Sequence, residues 1–351
     1  MIHVPVDDVR DLLLRLLVSK CLFKFDAETV AQRLIDADLR GLPEYGAASA
    51  LTLLEALAAG DIDPRGRVLT VHETAAVAVL DGSRAAGAVA ATKGMESAIA
   101  KANGVGVGTA VVGNSQSLGA ASVFALLAAR EGLIGFVTSS SGQASVAAYG
   151  SNRPAVGNHP LAWAIPVPGR PPFVLDFSTG ATSWSDVRAA AVDGRPLDAG
   201  LALDAEGRPT TDAVAATTLL PMAGPRGFGL AFVCSVLCGG LAGGRLPIRR
   251  KRPGAAEDSQ HFFQAIQPAE FIDPADFAKR VTAEMDDIRG LPPLPGFDRV
   301  RLAGDEDAAR ADRIRSEGIP LRDSVHAALG QATPGGWTRG APTPPPRCDA
   351  P

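Results

Sequence analysis

No stretch of this 351-residue chain is apolar for the roughly 18 consecutive residues that argue a membrane span. The N-terminus has no basic start and no small-residue cleavage site. Asp7 and Asp8 instead precede its first apolar run, which argues against a signal peptide and for a cytoplasmic protein. A basic excess is also missing: the net charge is −4, so neither nucleic acid nor an anionic membrane is an expected partner. Cysteine is scarce. Of Cys21, Cys234, Cys238 and Cys348 none forms a CxxC pair, and Cys234 and Cys238, four apart in an apolar helix-like run, read as buried small hydrophobes. The five histidines are scattered, and none has metal-ligand spacing, so no metal is expected. Walker, GxSxG and HExxH motifs are absent. The glycine-rich GVGVGTA at 104–110 leads into a strand instead of joining a strand to a helix, so it is not a dinucleotide fingerprint. Gly104, Gly106 and Gly108 read as a helix stop plus close strand packing.

The composition is that of a folded enzyme-sized protein: 46% hydrophobic and 21% charged residues, with length enough for a large core. Val6, Val9, Leu12, Leu13, Leu16 and Leu17 mark one face of a first helix. Asp26 reads as the cap of a second helix that runs to about Leu39, with Val30, Leu34 and Ile35 inward. A third is expected over 45–59, stopped by Gly60. Strands are expected at 68–72, 75–80, 105–112 and 133–138, around helices at 86–103 and 119–131. The apolar runs 161–166 and 172–177 form a hairpin across VPGRP, and 227–241 reads as a buried helix. The polar 249–258, with its RRKR run, reads as a solvated surface loop. After Phe262 come a short strand, a helix at 274–289, a strand near 298–302 and a helix at 305–317. The Pro/Gly-rich end reads as disordered. Mixed helices and strands with helical ends make the expected class α/β.

Several segments, in order, carry a resemblance: ADLRG at 37–41, NSQSLGAA at 114–121, AAREGLIGF at 128–136, GNHPLAWAIP at 157–166 and PPFVLDFST at 171–179. LALDAEGRPTTD at 201–212, GPRGFGLA at 224–231, HFFQAIQP at 261–268, IRGLPPLPGFDRVRLAGD at 288–305 and EGIPL at 317–321 continue it. Together they resemble the malate/L-lactate dehydrogenase-like family of NAD(P)-dependent oxidoreductases over roughly residues 5–330. The resemblance implies a non-Rossmann α/β fold with a mixed-sheet cofactor domain beside a helical domain, which accounts for the missing glycine fingerprint. It also implies a homodimer and NADPH or NADH as cofactor. Residues 1–70 would be the helical N-terminal part of a substrate domain and 71–245 the NAD(P)-binding domain. Residues 246–332 would pack back on the first part, and 333–351 would be a disordered tail.

Carried over residue by residue, the resemblance also locates departures. The family's Arg-Gly-x-x-Ser-His-Gly-x-x-Arg, in which histidine donates a proton and the last arginine binds the substrate carboxylate, here begins Arg40-Gly41 and continues through Glu44-Tyr45-Gly46 to Ser49. Tyr45 thus stands for the histidine, Glu44 for the serine and Ser49 for the arginine. Tyr45 is read as a substituted general acid with Glu44 beside it, or else as a filler of a decayed pocket. Asn158, His159, Trp184 and Ser185 fall where the family meets substrate. His159 is read as a substitute acid or a structural histidine, and Trp184 as a substrate contact or simple packing. A Gly-Lys pair common in the family is Ser185-Asp186 here. Cofactor positions implied are Ser117, Leu118, Gly119, Ala120 and Ala121, then Asp176, Phe177 and Ser178, then Pro225, Arg226 and Gly227, and finally Gly304, Asp305 and Arg310. In the family's Lys-Gly-x-Gly turn Arg226 replaces lysine and keeps a cation, while Gly227 and Gly229 allow close backbone approach at a helix start. His261 is read as an adenine-side or structural contact. The function implied is reduction of a small imine (a cyclic imino acid) or a 2-oxo compound; a non-redox isomerase, cyclase or lyase and a non-catalytic binding protein are the alternatives.

Overall fold

The computed structural model describes residues 1–140, 142–250 and 259–333. A short strand, β1 (Ile2–Val4), leads into α1 (Val6–Ser19) and α2 (Lys24–Leu39). Val9, Leu12, Leu13, Leu16 and Leu17 are wholly buried on α1, as a 3.6-residue period requires. α2 starts before Asp26, behind Phe23 and without a side-chain cap. Asp26 therefore sits inside the first turn, where a carboxylate meets the helix dipole, and is not the cap.

The third helix also begins later than its pattern suggests. Pro43–Tyr45 and Ala47–Ser49 are separate 3-10 turns, and α3 proper is Ala50–Ala58. The break comes from Asp38, whose Oδ2 accepts the Ala47 N–H at 2.8 Å and holds Gly46 extended at φ −88°, ψ −152°. A Cβ at residue 46 would lie 1.9 Å from Asp38 Oδ1, so only glycine fits.

β2 (Leu69–Glu73), β3 (Val77–Asp81), α4 (Gly87–Val105), β4 (Val107–Ser115), α5 (Ala121–Arg130) and β5 (Ile134–Ser140) follow. Gly106, at φ +88°, ends α4, two residues beyond the expected stop. At Gly108 a Cβ would sit 1.9 Å from the Ala98 carbonyl oxygen of α4; glycine there lets helix and strand approach. Next come β6 (Val146–Ala147), β7 (Pro154–Val156), β8 (Pro160–Ile165), β9 (Phe173–Ser178) and α6 (Trp184–Val192). They are followed by β10 (Ala202–Leu203), β11 (Pro209–Thr210), β12 (Thr218–Leu219), α7 (Pro225–Ser235) and β13 (Ser259–Ile266). The chain continues through α8 (Pro274–Arg289), α9 (Asp307–Glu317), β14 (Ile319–Leu321) and α10 (Asp323–Ala332).

The main sheet has seven strands in the order β2-β3-β4-β13-β5-β8-β9. Only β3 and β4 pair in parallel, and β13 runs antiparallel to both neighbours. That topology is α/β but not doubly wound. β13 occupies the centre of this sheet, so residues 259–266 belong to it and not with the helical layer. α4 and α5 cover the sheet around Met95, Phe124 and Phe263. The helical layer joins both ends of the sequence, because α1, α2, α9, β14 and α10 share one core and β1 pairs with β14. A five-stranded sheet, β11-β10-β12-β6-β7, packs with α6 and α7 around Leu219 and Ala231.

Two further expectations change. Residues 298–302 form no strand; the Pro-rich run before them feeds an irregular segment that gives the sheet only Ala303, whose carbonyl accepts Val174 N–H at 3.2 Å. The expected buried helix ends as α7 at Ser235, followed by a π turn over Val236–Gly240. One face of it is bare, with Phe232 54% and Val233 50% exposed. Of the expected 249–258 loop, residues 251–258 lie outside the described residues, as does the tail beyond Thr333.

Candidate functional site

Tyr45 stands in the 3-10 turn after α2, held there by Pro43 on one side and the Asp38–Ala47 bond on the other. Its Cβ is the nearest atom to the point where a Cβ on Gly119 would be, 3.9 Å away. Gly119 has φ +82°, a left-handed conformation that favours glycine, and it brings the loop at the head of α5 into ordinary contact with Tyr45. Ser185, at the start of α6, neighbours the Tyr45 hydroxyl. Burial first, then Glu44 and Asp176, hold the phenol above its ordinary value, while Arg188 and Ser185 act the other way. Tyr45 therefore keeps its proton throughout the neutral range and presents it as a hydrogen-bond donor.

Asp176, on β9, accepts the backbone N–H of Ser122 at 3.1 Å. Burial raises this carboxyl; the Ser122 bonds and the Arg40 charge oppose the rise. Arg40 donates from Nε to Ser122 Oγ at 3.0 Å and pairs through Nη2 with Asp307 at 2.7 Å. Arg310 pairs with Asp307 at 3.1 Å and donates to the Arg40 carbonyl at 3.0 Å. The ends of α2, β9, α5 and α9 thus meet in one charged cluster beneath Tyr45. Arg310 is a strut of that cluster, with its guanidinium already committed.

Several proposed site residues have structural work instead. His159 is buried, its Nε2 is 2.8 Å from Ser235 Oγ, and burial lowers it to about 3. It is neutral at working pH and enclosed with Ser235 in the interior, which does not suit it to act as a substitute acid. His261 lies between Ser139 (2.8 Å) and Ser115 (3.1 Å), wholly buried and lowered to about 4; it is a structural histidine. Ser49 spends its hydroxyl on the Gly46 carbonyl at 2.7 Å. Asn158 holds the turn between β9 and α6, accepting from Gly180 N–H at 2.7 Å and donating to the Thr182 carbonyl at 3.0 Å. Trp184 packs against the core under α6. Phe177 stacks on Trp163 on the sheet face opposite Asp176.

The cofactor candidates separate into an inner and an outer set. Leu118, Ala120 and Ala121 are core residues, so Ser117 and Gly119 are the parts of this loop left to a ligand. Ser178 ends β9, in register with Pro160. From there the turn is bonded to the segment before α7, with Met222 N–H donating to the Thr179 carbonyl at 3.0 Å. Pro225 opens α7 behind Gly224, no side chain caps the helix, and Arg226 is exposed on its first turn. Gly227 is glycine for packing, since a Cβ there would lie 2.1 Å from the Met222 carbonyl oxygen, whereas a Cβ on Gly229 would meet nothing within 4 Å. Gly304 and Asp305 lie beside the start of β9. Gly304 at φ +89° abuts Val174, and Asp305 pairs with Arg289 at 2.5 Å. They border a cleft of about 350 Å³ with Arg170, Pro172 and Arg299.

Sequence reasoning missed Asp38, Ser122, Asp307 and Arg188. Only Arg188 had a signal, its place one turn after Ser185 on the helix. Among the described residues no group of three or more His, Cys, Asp or Glu is placed to hold a metal, and no helix is long and apolar enough to cross a membrane.

Residues 4–330 match the model of the malate/L-lactate dehydrogenase family. The malate dehydrogenase of Pyrococcus abyssi is 29% identical over 92% of each chain. A ureidoglycolate dehydrogenase (NAD(+)) of Escherichia coli O157:H7 is 31% identical over 86% of this chain and 88% of that one. Among solved structures, the delta1-piperideine-2-carboxylate reductase of Pseudomonas syringae pvar.tomato superposes with a TM-score of 0.86 at 26% identity, covering 95% of this chain and 100% of that one.

Proposed function

The chain belongs to the malate/L-lactate dehydrogenase family, and on that premise we propose that it is an NAD(P)H-dependent reductase of a small imine or 2-oxo compound, with Tyr45 in the place of a histidine acid. The observation that carries this reading is the protonated Tyr45 phenol, whose Cβ packs beside Gly119 and whose hydroxyl feels Ser185 and two carboxylates, Glu44 and Asp176. The negative surroundings favour an imine over a ketone. They stabilise the cationic iminium form, which arrives with its proton and makes little demand on a weak acid.

The residues present fit a dinucleotide. Gly119 offers open backbone at the head of α5, and the uncapped start of α7 offers N–H groups and the Arg226 cation to a phosphate. When bound, the nicotinamide supplies the hydride. Tyr45 donates a hydrogen bond to the oxygen of a 2-oxo compound or accepts one from the N–H of an iminium, and Asp176, fixed by Ser122, sets the charge beneath it. The reading extends to a cytoplasmic homodimer, supported by the bare apolar face of α7 around Phe232 and Val233.

The test is a titration of the protein with NADPH and NADH, followed by a screen of cyclic imines and 2-oxo acids for loss of reduced-nicotinamide absorbance. Reduction with stoichiometric oxidation of the cofactor is the expected outcome. Product formed without cofactor oxidation would favour an isomerase, cyclase or lyase. Neither cofactor binding nor product would leave a binding protein on this scaffold.

A further inference from the structure

The position that the resemblance assigns to a carboxylate-binding arginine holds Ser49, whose hydroxyl is turned back to the Gly46 carbonyl at 2.7 Å. The surroundings of Tyr45 nevertheless contain a cation, and it comes from another element. α6 opens at Ser183, whose Oγ accepts the Asp186 N–H at 3.0 Å and donates to Asp186 Oδ2 at 2.7 Å. That cap fixes the first turn and occupies the Asp186 carboxylate. Val187 and Ala190, each 2% exposed, pin the inner face of the helix to its core. Ser185, which neighbours the Tyr45 hydroxyl, and Arg188 are three residues apart, so their side chains lie on one side of the helix, one above the other.

The other cations nearby are already engaged: Arg40 with Asp307 and Ser122, Arg310 with Asp307 and the Arg40 carbonyl. Arg188 is exposed to solvent, and among the described residues no carboxylate forms an ion pair with it. It acts electrostatically on the Tyr45 hydroxyl. A guanidinium presents a planar fork that matches a carboxylate bidentately.

We propose that Arg188 is the substrate-carboxylate anchor of this site, taking over from α6 the role that residue 49 does not fill. The ligand class is a small carboxylic acid with an imine or oxo group at the adjacent carbon. Its carboxylate sits on the Arg188 fork, and its reacting nitrogen or oxygen faces the Tyr45 hydroxyl. Carboxylate and iminium then meet opposite charges on opposite sides, Arg188 for one and Glu44 with Asp176 for the other. The proposal rests on the reductase reading above, and its test separates the two.

The probes are pyrrole-2-carboxylate and pyrrole-2-carboxamide, which share a planar ring and differ in charge. Both are titrated calorimetrically into wild type, Arg188→Gln and Arg188→Lys, with and without NADPH. Wild type is expected to bind the acid about 10- to 100-fold more tightly than the amide, the strength of a charge-assisted pair. Arg188→Gln should abolish that preference and Arg188→Lys keep part of it, with NADPH affinity unchanged in both. No preference in wild type, or an unchanged preference in Arg188→Gln, overturns the anchor. A weaker grip on NADPH in Arg188→Gln also overturns it and gives the arginine to a cofactor phosphate. Failure of wild type to bind NADPH counts against the reductase reading instead, and the cofactor-free titrations still decide the anchor.

Discussion

Asp38 Oδ2 accepts the backbone N–H of Ala47 at 2.8 Å, and that bond fixes the turn carrying Tyr45. The same carboxyl is pushed up to about 7 by burial, assisted by Glu44 and opposed by the Ala47 bond. Its ordinary value is 3.8, so between these limits the folded protein holds a proton that the unfolded chain has released. The contribution to stability is therefore full below about 4 and lost as pH rises through about 7. Thermal unfolding followed from pH 5 to pH 8 should show the decline, and Asp38→Asn, which keeps the shape without the titration, should flatten it. An equal slope in both proteins would remove Asp38 as its source.

Tyr45→Phe deletes one hydroxyl. Once a substrate is found, turnover should fall by about 10²–10⁴, the usual contribution of a positioned proton donor, with cofactor affinity nearly unchanged. Equal kcat values would make Tyr45 a filler of the pocket.

Arg226→Ala removes the cation from the open start of α7. NADPH binding should weaken by roughly 1.5–3 kcal/mol, as for other hydrogen bonds to charged groups. Calorimetry that gives the same Kd for both proteins would take the phosphate elsewhere.

The bare face of α7 predicts self-association. Light scattering across a dilution series should give twice the chain mass, and Phe232→Glu should shift the equilibrium towards monomer by placing a charge in the apolar contact. A single-chain mass at every concentration would contradict the dimer.

Adding a methyl at residue 108 is expected to destabilise the fold strongly, because a Cβ there would lie 1.9 Å from the Ala98 carbonyl oxygen. Gly108→Ala should lower the midpoint of chemical denaturation, whereas Gly104→Ala, with nothing within 4 Å, should leave it unchanged or raise it slightly. Similar midpoints for the two variants would show that α4 yields at this contact.

The face of α1 was legible because a helix repeats its burial every few residues, and the hairpin of β8 and β9 because its turn is local. The centre of the main sheet was not. SQHFFQAI is a run with no marked alternation, and its neighbours, β4 and β5, lie more than a hundred residues earlier. Tyr45 was found through its motif, but the helix expected to begin there was wrong, since a carboxylate seven residues upstream redirects the backbone. His159 looked available as an acid until burial and Ser235 accounted for it. Arg188 had only its spacing from Ser185 to mark it in the sequence; its meaning comes from Tyr45, which the fold brings near α6.

The place of β13 also bears on the order in which the molecule can form. Until Ser259–Ile266 leaves the ribosome, β2-β3-β4 and β5-β8-β9 are two separate three-stranded sheets, each with an open edge where β13 belongs. A nascent chain of about 250 residues thus carries two unsatisfied rows of backbone donors and acceptors, the condition that invites edge-to-edge association. Such late, distant pairing also slows folding. The strand that joins the halves is therefore the step at which synthesis becomes commitment, and chains cut short before it are the ones a cell's chaperones should have to hold.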